Sequence, residues 1–421
     1  MITFCLYSSA VGALLFSKRT LGDYFSPLAV YLFFWCFALG SFYLNWISFD
    51  LLGSEVITAI GIATGMFVAG ALIPVFYAWS RPAAFRDPPS MLHHVDRSRL
   101  EMAMLFLFGL GVFGFAVQLV HLQMEVGLSA FITAPQRVRD VHSNVKYLGF
   151  FDILNLANFV MGTVYVTLFK RPKWWVVGML VFAILTTFFS TDRTRFFYTV
   201  IWAFYAVVYS RKQVRITRQI LLGGLLTMGA LIGFFLLIAK IYVKQAFEDN
   251  MEYIKISQDY ALAIDPYIYL TGSFPVFQAF LNDEFDHTYG KYTFEPLVKV
   301  IEVIYPDLSR AEIVGKFYRV PVELNAGTYL QPYVLDWGIF GLWICPFLVG
   351  LSVMMLYLAM RARKSLFLVY TTALFSFCTT ISIFVNHFSQ TATWFFVIVG
   401  YVVHRFCTDP SHQATLRKGV G

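Results

Sequence analysis

The sequence predicts an all-α polytopic membrane protein, and three observations carry that prediction. Of 421 residues 58% are hydrophobic and only 14% are charged, against about 25% charged in a soluble domain. Apolar runs long enough to cross about 30 Å of hydrocarbon recur along the chain. Lysine and arginine collect in alternate connections between those runs, the bias that orients helices in a bilayer.

Taken in order, eleven runs read as spans, near residues 2–17, 26–47, 56–79, 100–120, 151–169, 174–190, 196–210, 219–240, 333–359, 365–385 and 391–406. The first and seventh are short. The first lacks a basic start and is followed by Lys18 and Arg19, so it reads as a span and not as a signal peptide. The chain therefore divides into eight spans over 1–240, a large polar loop over 241–332, three spans over 333–406 and a tail over 407–421.

Charge sets the orientation. One set of connections holds Lys18 and Arg19, four arginines between 81 and 99, Lys170 to Lys173, Arg211 to Arg218, Arg361 to Lys364 and the tail's cations, with few acids among them. That side is expected to be cytoplasmic, with the N-terminus outside and the C-terminus inside. The net charge of +7 follows from this asymmetry and gives no reason to expect nucleic acid. All five cysteines (Cys5, Cys36, Cys345, Cys378 and Cys407) fall in or at the ends of spans, which indicates neither disulfides nor a thiolate metal site.

The outer side carries the candidate chemistry. In Ser190-Thr191-Asp192-Arg193-Thr194-Arg195 two arginines stand at the outer mouth of a short hairpin, where a guanidinium fork suits a phosphate or carboxylate. The alternative is that both reach lipid headgroups or pair with Asp192. Arg137 and Arg139 lie in the 121–150 loop, and Lys244, Arg310, Lys316 and Arg319 in the large one. Asp152, Asn155 and Asn158 recur every three residues, a stripe that should face protein interior or a watery cavity because hydrocarbon offers no partners. Asp336 sits about a turn into the ninth span. Helix–helix hydrogen bonding explains both equally well. Within the large loop, Glu295 to Ile304 reads as a helix with proline in its first turn and a one-sided apolar face, lying on the membrane surface or capping the spans. Asn250 to Ile264 is a second expected helix, so the loop reads as a folded lid.

These segments resemble the Wzy-type O-antigen polymerases, or oligosaccharide repeat-unit polymerases, from about residue 100 onward. Asn325-Ala326-Gly327-Thr328-Tyr329-Leu330 and then Tyr333-Val334-Leu335-Asp336-Trp337-Gly338-Ile339-Phe340-Gly341 are similar to that family's asparagine, threonine, aspartate-aromatic-glycine-x-x-glycine signature. Asp192-Arg193-Thr194, Gly272-Ser273-Phe274-Pro275 and Gly290-Lys291-Tyr292-Thr293 resemble its other landmarks. Related O-antigen ligases carry a histidine before the asparagine where this chain has Leu324, which favours polymerase.

The resemblance implies a membrane glycosyltransferase architecture of the GT-C-like type and a reaction at the outer face of the bacterial inner membrane. Undecaprenyl-diphosphate-linked oligosaccharide would be both donor and acceptor in the making of a surface polysaccharide such as that of lipopolysaccharide. No cofactor or metal is expected, because the donor already carries an activated leaving group. A chain-length regulator and a flippase are implied partners besides the bilayer.

Cations near the leaving diphosphate would stabilise its charge. Arg193 and Arg195 come first, then Arg310, Arg319 and Lys316, then Arg137 and Arg139. A base for the acceptor hydroxyl is sought among Asp336, Glu323, His287 and Asp152, with Asn325, Thr328 and Lys244 as substrate-binding positions. The competing readings are the ligase, a lipid-linked glycan transporter, which usually shows an internal repeat that is not seen here, and a membrane protein without a substrate.

Overall fold

The computed structural model describes residues 1–80, 95–133, 137–138, 141, 147–169, 172–189, 193–211, 218, 222–226, 229, 232–233, 251–257, 260–305 and 316–408. The chain is mostly helical, and among the described residues four helices are long and apolar enough to cross a membrane: Ser54–Ser80, Arg97–Glu125, Leu148–Leu168 and Ile339–Ala362. Shorter apolar helices stand at Pro27–Phe42, Trp174–Thr187, Leu366–Ile381 and Thr391–Cys407. Helices occupy every predicted run except 219–240, most of which lies outside the described residues. The chain forms two compact units.

The first unit comprises 1–87, 245–362 and 375–395. Its helices are α1 (Ile2–Leu21), α2 (Pro27–Phe42) and α3 (Ser54–Ser80). Proline opens α2 behind Ser26, whose Oγ accepts the Ala29 amide at 3.3 Å, a cap that satisfies one of the helix's unpaired donors. The large loop contributes α9 (Ala261–Thr271), α10 (Ser273–Leu281), α11 (Glu295–Ile304) and a two-stranded hairpin, β1 (Tyr318–Arg319) with β2 (Glu323–Leu324). The chain then runs through α12 (Leu330–Trp337) and α13 (Ile339–Ala362).

α3 and α13 cross at glycines: a Cβ at Gly70 would strike the Phe347 carbonyl, and one at Gly350 the Phe67 carbonyl. Small residues let two helix backbones touch in this way. Asp23, buried between α1 and α2, takes the Tyr357 hydroxyl and Arg361 Nη1 from α13, the latter at 2.5 Å.

The large loop is folded onto these helices. Ile47 pairs with Ile254 in an isolated bridge, and the amides of Ser48 and Lys255 donate to Tyr253 O (2.8 Å) and Trp46 O (2.9 Å). Tyr267 stacks on Trp46 and donates to Ser41 O at 3.0 Å. Phe274, Val276 and Phe277 of α10 are fully buried, so part of the loop is core and not water-facing. The expected helix over Asn250–Ile264 is not formed: a single 3-10 turn at Met251–Tyr253 gives way to the bridge, and helix resumes only at Ala261. Pairing with 46–48 satisfies those backbone groups in place of helical bonds. α11 falls where the sequence places it, with Pro296 in its first turn.

The second unit comprises 88–244, 363–374 and 396–421. It holds α4 (Arg97–Glu125), a 3-10 segment at Tyr147–Ile153, α5 (Leu154–Leu168), α6 (Trp174–Phe189), α7 (Arg193–Phe197), a π turn at Tyr198–Trp202 and α8 (Ala203–Ser210). The first half of α14 (Leu366–Ile381) and most of α15 (Thr391–Cys407) complete it. Asp96 caps α4 through Arg99 N at 3.0 Å. Glu101 then gathers Arg97 (3.0 Å), Lys173 (2.6 Å) and the Tyr165 hydroxyl (2.6 Å), a network that pins α4, α5 and the start of α6 together.

Candidate functional site

The signature residues build the start of α12 and its junction with α13. Thr328 is buried and accepts the Leu330 amide on Oγ1 at 3.2 Å, while its carbonyl takes the Gln331 amide at 3.2 Å. It thereby closes the first turn of α12. Asn325, half-buried, precedes it directly after β2. Tyr329 is fully buried against Tyr31, hydroxyl to hydroxyl at 3.2 Å, and its amide donates to Ser382 O at 2.9 Å.

At the other end of α12 three consecutive residues grip the segment 287–293. The Asp336 carboxylate, 1% exposed, accepts the Thr288 hydroxyl (2.5 Å), the Tyr292 amide (3.2 Å), the Thr293 amide (2.5 Å) and the Thr293 hydroxyl (2.6 Å). With its oxygens so occupied and turned from solvent, Asp336 is placed as a clamp and presents no proton acceptor to a substrate. Trp337 donates from Nε1 to Thr293 Oγ1 at 3.1 Å and lies over Gly290. Gly338 has φ +59° and ψ −145°, a backbone that only glycine adopts cheaply. A Cβ there would stand 3.3 Å from the His287 ring.

His287 is exposed, and its Nδ1 lies 3.2 Å from the Leu335 carbonyl. A carbonyl only accepts, so Nδ1 carries the proton, and in the neutral ring Nε2 is the acceptor. The structure thus brings Asp336 and His287 together on either side of one backbone break. Of the proposed bases, His287 alone combines solvent access with a partner that fixes its tautomer.

Glu323, on β2, is exposed and pairs in register with Arg319 of β1. Arg319 is bonded to the Tyr253 side chain. Lys316 Nζ contacts Asp283 at 2.5 Å, and Tyr318 donates to the same carboxylate at 3.1 Å. The Lys316 bond holds the Asp283 carboxyl below the usual range, while burial together with Asp283 pushes the Tyr318 phenol up to about 12.

In the second unit the polar stripe faces inward as its spacing requires: Asp152, Asn155 and Asn158 are each 1–2% exposed. Asn155 Nδ2 donates to Asp152 Oδ1 at 2.9 Å and to Gly111 O at 3.1 Å, and Gly114 lies so close to the Asp152 amide that a Cβ would not fit. Arg195 Nη1 pairs with Asp152 Oδ2 across side chains 18% and 1% exposed. Arg195 therefore neutralises a buried carboxylate, a partner that sequence spacing did not suggest. Arg193 opens α7. Arg137 is exposed. Arg139, Lys244 and Arg310 lie outside the described residues.

No family model, curated protein or solved structure matches this chain. The site therefore rests on its own geometry.

One buried polar feature is not evident in the sequence. The turn 386–390 reads as a short outer connection, yet Asn386, His387 and Ser389 are buried. Asn386 Nδ2 donates to Ser389 Oγ at 3.1 Å, Asn386 Oδ1 takes the Phe388 amide at 3.0 Å, and the Tyr333 hydroxyl is bonded to both Asn386 and Ser389. α12 is seated on this polar turn.

Proposed function

We propose that this protein polymerises lipid-diphosphate-linked oligosaccharide repeat units at the periplasmic face of a bacterial inner membrane, with the large loop on that side. The acceptor sugar's hydroxyl oxygen attacks the anomeric carbon of the growing glycan. The bond from that carbon to the diphosphate oxygen breaks, and its electron pair leaves with the lipid diphosphate. The hydroxyl proton passes to His287 Nε2, and cations at the leaving diphosphate stabilise its charge.

The observation that carries the reading is the Asp336–Trp337–Gly338 junction. The residues that resemble a polymerase signature are the ones that hold a tautomer-fixed, solvent-facing imidazole at the head of a span. The test is purified protein in proteoliposomes given only an undecaprenyl-diphosphate-linked repeat unit. A ladder of longer lipid-linked glycans is expected. Unchanged chain length sinks the proposal, and transfer only to an added lipid A core acceptor points to a ligase instead.

A further inference from the structure

α11 is amphipathic the wrong way round for a helix folded onto protein in water. Its polar positions 295, 299 and 302 turn toward the molecule: Glu295 takes Lys299 Nζ on its own helix and the Thr391 hydroxyl at 3.2 Å, and all three residues are partly buried. Four of its apolar positions turn out, with Leu297 61%, Val300 63%, Ile301 44% and Ile304 68% exposed, while Val298 is partly buried. In water this arrangement gives up the apolar burial that drives a helix to pack.

The surroundings say what covers that face. Phe294, just before α11, meets the Trp337 ring edge-on at 6.4 Å at the head of α13, and Thr391 is the first residue of α15. α13 is one of the four helices fit to cross a membrane, and its exposed side (Ile339, Phe340, Trp343, Ile344 and Leu348) begins beside that ring. The outward face of α11 therefore continues the exposed apolar side of a helix fit to cross a membrane. Exposed Tyr289, Tyr305 and Trp337 lie in or beside it, the residue types that gather where headgroups meet acyl chains.

We infer that α11 lies in the plane of the outer leaflet, its Leu297–Val300–Ile304 face sunk among the acyl chains and its Glu295–Lys299–Glu302 face held by the protein. Because α11 follows directly on the segment clamped by Asp336, its seating fixes His287 at headgroup depth. The placement stands whether or not the chain is a polymerase.

The test is spin labelling of the full-length protein in phosphatidylethanolamine/phosphatidylglycerol proteoliposomes. Nitroxide amino acids at 297, 300 or 304 are compared for relaxation by oxygen, which concentrates in lipid, and by a water-soluble nickel chelate. Labels at these exposed sites leave the fold undisturbed. Oxygen relaxation several-fold stronger than nickel relaxation is expected at all three, with the reverse at exposed Glu284. Dominant nickel relaxation at 297–304 overturns the inference by placing the helix in water. Shielding from both reagents overturns it equally, by placing protein, such as a second copy, over the face.

Discussion

At the scale of single residues, His287 and Asp336 sit side by side and should fail in different ways. His287→Ala removes an exposed imidazole that is hydrogen-bonded to a carbonyl. Elongation should fall by about 10²–10⁴-fold, the usual range for a general base, with unchanged protein abundance, and a wild-type ladder would remove His287 from the mechanism. Asp336→Ala strips the acceptor from four donors, and each bond to a charged group contributes about 1.5–3 kcal/mol. It should loosen 287–293, seen as faster amide exchange at Tyr292 and Thr293, and so lose elongation through misplacement of His287. Intact protection at those amides would show that Asp336 is no clamp. Arg195→Ala leaves Asp152 buried and uncompensated, a loss of about 3–5 kcal/mol. Removing both charges with Asp152→Asn and Arg195→Gln should restore most of the thermal stability, whereas a double variant as unstable as Arg195→Ala would deny the pairing its structural role.

At the scale of elements, what the sequence showed depended on whether local pattern or distant pairing decided the outcome. α11 was legible because its proline and its apolar spacing are both local. The Asp152 stripe was legible for the same reason, since a three-residue repeat fixes one face wherever the helix goes. The helix expected over 250–264 failed because its start is claimed by strand-like pairing with 46–48, some 200 residues away in the chain, and no local signal reports that. Arg195's partner and the burial of 386–389 were hidden likewise.

The β1–β2 hairpin offers a pH test at this scale. Lys316 lowers the Asp283 carboxyl, so its anchoring holds at neutral pH and is lost as pH falls through that depressed value. The raised Tyr318 phenol acts in the opposite sense, so its contribution is complete below about 10, the ordinary tyrosine value, and is lost as pH rises through about 12. Limited proteolysis of the hairpin should therefore be slowest between those limits, and Asp283→Asn should flatten the acid limb. An acid limb unchanged in that variant would detach Asp283 from the anchoring.

At the scale of the whole molecule, the first unit joins residues 1–87 to 245–362, so its stability depends on contacts between segments made far apart in the chain. The tightest is α3 on α13, where Gly70 and Gly350 each meet the partner's backbone and leave no flexible side chain to yield. Overpacking typically costs about 1–3 kcal/mol where neighbours can shift, and a backbone carbonyl shifts less than a side chain. Gly61 and Gly65 lie on the same α3 with open space where a Cβ would stand, which makes them internal controls for the loss of glycine itself. Gly70→Leu and Gly350→Leu should each lower the melting temperature in detergent or lipid, while Gly61→Leu and Gly65→Leu stay within about 0.5 kcal/mol of the parent. The large loop should respond as well, because its bridge at Ile47 is anchored to the same unit. Gly70→Leu should expose 251–257 to protease at temperatures where Gly61→Leu does not, and equal behaviour of the two variants would mean that the crossing of α3 and α13 does not hold the loop in place.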